Sequence, residues 1–363
     1  MAAGGSYTDD IIGALDGDEL NGLLAELTRD QSELFGGRDF ISVLRGVLSG
    51  EIGLNFSNVT EFIFSVIGSS LSALAVLLAT VVGVSVIYSA VGALKGGRHT
   101  ESVSKAAHVA ATACIVITVG VSVTAMFTMC AKTLSSMAAQ INVLVPVILT
   151  LIAGVGGGTT AAVFSPAVAV ITSGMFNLIS SVLMPMLAAA FVFGVGGSIS
   201  GEGGPNKMSS FLRSAVKWLF GTGFFVLTAV MSIQGVTANV MDNLGVRGAK
   251  FAIGKYVPVI GGYMSEGFNL VVSGGIAIKN ALGYTALVLL LLTILPAVMQ
   301  IAVLSLCLKL SAAIAEPFGD KQMGDMLQGI SKTVSLAGGM MFGAGFLYFV
   351  FMLILMAAGN IFL

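Results

Sequence analysis

Charge is the scarcest property of this sequence. Only 10% of its 363 residues are Asp, Glu, Lys or Arg, whereas 56% are hydrophobic and the mean hydropathy is +0.98. A soluble globular domain usually carries about a quarter charged residues. The deficit excludes an ordinary soluble domain and indicates that lipid is the main solvent of the chain. It also leaves no basic patch of the kind that binds nucleic acid.

Residues that could bind a metal or form disulfides are also few. Cys114, Cys130 and Cys307 all lie within or beside apolar runs, so we expect small core residues rather than a disulfide framework. His99 and His108 have no Cys, Asp or Glu at the spacing of a metal site. The sequence therefore predicts neither a metal nor a cofactor.

The few charges that do occur are unevenly distributed. Residues 1–61 hold eleven of the 18 acidic residues and only three basic ones. Two amphipathic patterns with helical spacing lie in this region. The first consists of Leu20, Leu23, Leu24 and Leu27. The second follows Asp39, a plausible N-cap, and consists of Phe40, Val43, Leu44, Val47 and Leu48. We predict that residues 1–57 form an acidic head of short helices, which pack on each other, on the membrane surface or on a partner.

Long uncharged runs make up residues 58–363, the predicted transmembrane domain. These runs are 62–94, 106–131, 133–201, 218–241, 280–308 and 333–363. A helix needs about 20 residues to cross a bilayer. Five runs therefore fit one crossing each, and run 133–201 has room for three, with breaks near residues 154–158 and 177–181. The sequence predicts an all-α polytopic bundle of about eight spans.

Basic residues mark two short loops between these runs. Their members are Lys95, Arg98 and Lys105 in one loop, and Lys207, Arg213 and Lys217 in the other. Because cytoplasmic loops carry an excess of lysine and arginine, both loops are predicted to lie in the cytoplasm. The acidic head and the C-terminus are then predicted to lie outside the cytoplasm.

Proline and glycine indicate interrupted helices. The breaks are expected at Pro166 and at Pro258 with Gly261 and Gly262, because a proline in a membrane helix removes a backbone hydrogen bond. Residues 165–181, SPAVAVITSGMFNLISS, align without gaps with residues 257–273, VPVIGGYMSEGFNLVVS. Two explanations of this internal similarity are open. It arises by chance or from a shared packing need, or it reflects a duplicated broken-helix hairpin of the kind found in transporters. Separately, Gly339 and Gly343 form a GxxxG pair suited to close helix contact.

Polar side chains inside the apolar runs form the candidate site. Such groups are expensive in a membrane and often functional. They act either as interhelical hydrogen bonds or as the lining of a conduction pathway. The candidates for a polar core are Asn177, Glu266, Asn269, Lys279 and Gln300.

Segment 243–281 is predicted to be interfacial or re-entrant. On a helical wheel Arg247, Lys250 and Lys255 share one side and apolar residues occupy the other, which is typical of a helix lying at the headgroups. After Pro258 the chain would turn and dip into the membrane. Lipid anchoring alone and a re-entrant loop that lines a pore both fit this pattern.

Three stretches together resemble the stage III sporulation protein AE family. They are GVTANVMDNLGVRGAKFAIGKYVPVIGGYMSEGFNLVVSGGIAIKNALG (235–283), EPFGDKQMGDMLQGISKTVSL (316–336) and AGGMMFGAGFLYF (337–349). The resemblance is most specific in RGAKFA, VPVIGG, the Ser265–Glu266 pair and IKNALG.

This resemblance implies a multi-pass protein in the mother-cell membrane that surrounds the forespore of a spore-forming bacterium. It implies a permease-like component of a secretion-like channel complex that sustains the forespore and its late gene expression. The implied partners are the other proteins of the stage III sporulation A operon and a forespore membrane protein. A homo-oligomer is left open, and no catalytic residue is implied.

Three other functional classes compete with a channel subunit. One is a non-conducting scaffold that gathers partners, and a second is a stand-alone secondary transporter of unknown solute. The third, an intramembrane enzyme, is disfavoured, because the sequence shows no paired carboxylates at depth and no Ser–His or Ser–Lys pairing. We therefore predict a protein that is not an enzyme.

Overall fold

A computed structural model describes residues 20–23, 39–49, 56–93, 100–200, 203–256, 261–318 and 321–358. Within these ranges every regular element is a helix, which confirms the all-helical prediction. The α-helices are α1 (Phe40–Ser49), α2 (Phe56–Ala93), α3 (Thr100–Gly154), α4 (Gly158–Ala169), α5 (Met184–Ser200), α6 (Gly203–Tyr256), α7 (Gly261–Ala315) and α8 (Lys321–Ala357). Two π-helical segments, Val170–Phe176 and Ile179–Leu183, join α4 to α5, and a 3-10 turn, Glu316–Phe318, follows α7.

Five helical stretches in the described part of the chain are long and apolar enough to cross a membrane. They are Val109–Gly154, Gly174–Ile199, Gly204–Gln234, Val272–Ala315 and Lys321–Ala357. A shorter apolar stretch, Ala75–Ile87, lies in α2. The chain is therefore a helical membrane protein, and the described residues give fewer crossing-length helices than the eight predicted.

Helices α7 and α8 form an antiparallel pair at the centre of the core. Small residues allow their backbones to approach closely: a Cβ atom at Gly338 would lie 2.9 Å from Ile301, and one at Gly345 would overlap Ile294. Further along, a Cβ at Gly283 would overlap Met356. Close backbone approach at small residues stabilises membrane helix pairs because lipid supplies no hydrophobic driving force between them.

Contacts between helices define two ends of the bundle. At one end, which we call the basic end, Ser85 of α2 contacts Met323 and Gln322 donates to the Ser198 carbonyl. Arg213 lies on the side of this end, since its guanidinium contacts the first third of α8. At the other end, the distal end, the turn at Val155 packs on Val272 and Ile276 of α7.

The predicted number of crossings between the two basic loops is corrected by these contacts. Only two helical runs connect them in the described residues: α3 leads to the distal end, and α4 to α5 lead back. The uncharged runs predict four, one in run 106–131 and three in run 133–201, because Lys132 divides these two runs. In the structure Lys132 is an exposed residue inside α3. A lysine can reach polar surroundings along its flexible stem, so it does not need to end a helix.

The predicted helix breaks differ from the structure in a similar way. Pro166 lies inside α4, and α-helical hydrogen bonding changes only from Val170 onward. Gly261 and Gly262 open α7, which continues unbroken through Lys279, so the described backbone forms no separate re-entrant hairpin between 261 and 281. Pro258 lies outside the described residues.

The described part of the head packs against the membrane bundle. Leu20, Leu23, Phe40 and Leu44 are buried in the main core, and the Phe40 amide donates to the Asn21 side chain at 2.9 Å. Helix α1 begins directly after Asp39, as the predicted N-cap requires. The Ser42 hydroxyl donates to the Asp39 carboxylate and lowers the pKa of this group. Helix α1 contacts α7, while the chain after it runs along α2 toward the basic end.

Candidate functional site

The π-helical stretch between α4 and α5 carries the polar group that we consider the best site candidate. Asn177 lies between the two π segments and is exposed. The Ser181 hydroxyl donates to the Asn177 side-chain oxygen at 2.6 Å, and the Ser180 hydroxyl lies 3.4 Å from the Asn177 carbonyl. Short π segments inside α-helices are rare and frequently occur at functional sites.

This stretch lies midway between the two ends of the bundle. A Cβ atom at Gly223 of α6 would lie 3.6 Å from the Met175 sulfur, so Gly223 and the π stretch share a level along the bundle axis. The neighbouring ring of Phe224 packs on Phe346, 6.1 Å between centroids. Phe346 lies near the middle of the apolar part of α8. The Asn177–Ser181 pair is therefore at mid-depth and on the surface of the described bundle.

Lys279 is the most deeply buried charged side chain in the described residues. It is 0% exposed, and its ammonium group donates to the Met356 carbonyl at 2.8 Å and to the Ala358 carbonyl. Carbonyls at a helix C-terminus have no partner within the helix and carry partial negative charge, so a lysine stabilises this position. Lys279 is thus positioned as a cap that joins α7 to the end of α8.

The location of Lys279 follows from the length of α7. An uncharged stretch separates Lys279 from Lys309 on this helix. These residues are 30 positions apart, which corresponds to about 45 Å of helix and to the thickness of a bilayer with its headgroups. Because Lys309 lies at the basic end, Lys279 lies toward the distal end, about one bilayer thickness away.

A second buried polar contact joins α3 to α7 between these boundaries. The Gln140 amide donates to the Thr293 hydroxyl at 2.7 Å, and Thr293 in turn donates to the Leu289 carbonyl at 2.8 Å. Gln140 is 3% exposed, and its side-chain oxygen has no hydrogen-bond partner. An unpaired buried amide oxygen is expensive, which makes this contact a point of local strain or hydration.

Hydroxyl groups and one guanidinium connect the helices near the basic end. Ser305 of α7 lies 3.2 Å from the Ser331 hydroxyl and 2.6 Å from the Ser335 hydroxyl of α8. The Arg213 guanidinium crosses from α6 to donate to the Gly329 carbonyl at 3.1 Å and to the Thr333 hydroxyl at 3.4 Å. These contacts fix α6, α7 and α8 to one another.

The five predicted polar-core residues are not gathered into one cluster by their described contacts. Asn177 contacts its own helix, Lys279 contacts α8, and Gln300 is exposed on the side of α7 that carries Thr293. Glu266 and Asn269 lie in α7, but their side chains fall outside the described residues. The same holds for the predicted interfacial cations of α6, which are Arg247, Lys250 and Lys255.

Sequence reasoning missed two kinds of contact. Serine is so common in apolar helices that nothing in the sequence distinguishes Ser305 and Ser331 from the others. Arg213 served only as a marker of a basic loop, yet it reaches across to α8. Its position about one and a half turns before a long uncharged run was the available indication, since arginine at such a boundary can turn back toward neighbouring carbonyls.

The fold and the polar contacts define a helical membrane protein with an irregular helix midway between the two ends of the described bundle. A family model described as stage III sporulation protein AE (spore_III_AE) matches residues 38–359. The chain belongs to this family.

One curated relative is the stage III sporulation protein AE of Bacillus subtilis (strain 168). It is 26% identical over 231 residues, which cover 63% of this chain and 58% of the relative. The matched region thus spans less than two thirds of the relative's length. No solved structure matches the chain.

Proposed function

We propose that the chain is the membrane-embedded, permease-like component of a sporulation channel complex between mother cell and forespore. Membership of the stage III sporulation protein AE family supports a role in sporulation. The proposed partners are the other proteins of the stage III sporulation A operon and a forespore membrane protein. The proposed role is to sustain the forespore and its late gene expression, with no catalytic step by this chain.

The exposed Asn177–Ser181 pair is the observation that carries the permease-like role. The pair lies at mid-depth, where an outward-facing side chain meets either acyl chains or another polar surface. An amide in hydrocarbon without compensating hydrogen bonds costs several kcal/mol, roughly 4–8 on a water-to-cyclohexane scale. Irregular helical backbone at this depth is tolerated where it lies against protein or a water-filled cavity. The pair is therefore proposed to line a polar path.

The basic end supports a proposed orientation of the chain. Arg213, Lys309 and Lys321 lie at this end, and the chain after Ala93 continues into the basic loop at Lys95 and Arg98. Cytoplasmic surfaces of membrane proteins are enriched in such residues. The basic end is proposed to face the mother-cell cytoplasm, and the head is proposed to lie at the opposite side, outside the cytoplasm.

A substitution at Asn177 tests the proposed function. In sporulating cells that lack their own copy, Asn177→Leu is expected to reduce late forespore reporter activity and the yield of heat-resistant spores, because it removes the polar group from the path. The matched control is Val226→Leu on α6, an exposed apolar residue at the same level. Membrane abundance of both variants is measured by immunoblot. Normal spore yield for Asn177→Leu at normal abundance would contradict the proposal and favour a non-conducting scaffold.

A further inference from the structure

The outer face of α6 carries large aromatic side chains at regular intervals. Phe211, Trp218 and Phe225 are 66%, 69% and 72% exposed and lie seven residues apart. Only 11% of the most apolar stretch of α6 is buried, against 56% for α8. A seven-residue repeat is the spacing of one helix that packs along another. The aromatic face is therefore a regular, unpartnered stripe on the most exposed of the five candidate spans.

A groove on the outer face of the α7–α8 pair has the complementary form. Two cavities of about 440 and 480 Å³ lie along it and meet at Val298. The groove is lined mainly by large apolar side chains of α7 and α8, with small residues between them: Ala302 and Gly338 in one cavity and Gly345 in the other. On α7 the groove extends from Tyr284 to Lys309, which is about 37 Å of helix. This length matches one membrane crossing.

The aromatic stripe and the groove match in depth. Arg213 contacts Thr333, and Phe224 packs on Phe346, so residues of α6 and α8 whose numbers differ by about 120 lie at the same level. Trp218 is thus level with Gly338, and Phe225 with Gly345. All copies of a chain share one orientation in a membrane, so this correspondence also holds between neighbouring copies.

We propose that the outer face of α6 from one copy packs into the α7–α8 groove of a second copy. The bulky aromatic side chains of one copy lie in the groove along the α7–α8 pair of the next. The serine hydroxyls in the groove wall and the glycines along it are residue types typical of contacts between membrane helices. This interface joins two different surfaces, so each copy offers both, and repetition of the contact builds a ring if the rotation closes.

Disulfide cross-linking between two differently tagged copies tests this interface. Gly221 lies in the stripe, and a Cβ atom there meets open space. On α7, Ile294 lies against Gly345 of α8 and Ile301 lies against Gly338 of α8. Val298 lies between these two isoleucines, so it is level with about residue 341 of α8. By the offset of about 120 residues, it is therefore also level with Gly221 of α6. Full-length chains in which Cys114, Cys130 and Cys307 are replaced by alanine would carry either Gly221→Cys or Val298→Cys. They would be co-produced in native membranes and oxidised mildly.

The expected result is a cross-linked dimer that contains both tags and that forms only when both cysteines are present. Adding Ala302→Trp, which fills the groove beside Val298, should lower its yield severalfold while leaving membrane abundance unchanged. No cross-link, or a Gly221→Cys chain that pairs with itself, would overturn the proposal. So would an equal yield when Gly221→Cys is replaced by Ile117→Cys, because Ile117 is 68% exposed on a different helix, α3.

Discussion

Lys279 shows at the scale of one residue how a charge is accommodated in this apolar chain. Its ammonium group is buried against two carbonyls at the end of α8, toward the distal end. Removing a cation from water is costly, and the carbonyls at a helix C-terminus offset part of that cost. The side chain therefore holds the end of α8 in place. Without it, the Met356 and Ala358 carbonyls lose this hydrogen-bond partner.

Lys279→Met is expected to loosen the last turn of α8. A hydrogen bond to a charged group contributes about 1.5–3 kcal/mol. Its loss should raise amide hydrogen exchange at residues 353–358 by roughly tenfold or more, since local opening controls exchange. The measurement is hydrogen–deuterium exchange by mass spectrometry on purified protein. Lys309→Met is the matched control, because Lys309 is exposed on the same helix; exchange that is equal in both variants would contradict the capping role.

Part of this residue-scale picture could be predicted from the sequence. Lys279 and Asn177 are conspicuous because polar groups are rare in their runs, so their importance follows from composition. Their contacts do not, because the partner of Lys279 is a backbone carbonyl of a helix more than seventy residues away. Gln300 is equally conspicuous, yet it is exposed, since its position on α7 depends on which neighbours pack there.

Glycine determines how closely the elements approach. Gly343 lies against Phe220 of α6, whereas Gly338 and Gly345 lie against α7. The predicted GxxxG pair of Gly339 and Gly343 thus identifies the correct helix but not its contact face, because Gly339 meets open space. Spacing within one helix shows that close contact is possible, and only the arrangement of neighbours decides which glycines make it.

Substitution of Gly345 and Gly339 by valine tests this assignment. Gly345→Val is expected to lower the free energy of unfolding by about 1–3 kcal/mol, because the new side chain overlaps Ile294 in a packed interface. Gly339→Val should change it by less than about 0.5 kcal/mol, as expected for an exposed position. Thermal unfolding in detergent, followed by circular dichroism, measures both. Equal destabilisation by the two variants would show that the α7–α8 contact does not depend on Gly345.

The whole molecule is a set of helices that pass between a basic end and a distal end. The sequence predicts the helical class and the membrane environment, because both depend on composition summed over long stretches. It overestimates the crossings between the loops, since Lys132 divides two runs without ending α3. It places an interruption near residues 177–181, where the structure has π turns in an otherwise continuous helix.

The proposed polar path depends on water at the π-helical stretch. The direct measurement is the reaction of Asn177→Cys with a small, membrane-impermeant thiol reagent, in intact membranes and on a chain whose three native cysteines are replaced by alanine. Val226→Cys, exposed at the same level on α6, is the control. The account predicts rapid labelling at residue 177 and little at residue 226, because only ionised thiols in contact with water react. Equally slow labelling at both positions would contradict it.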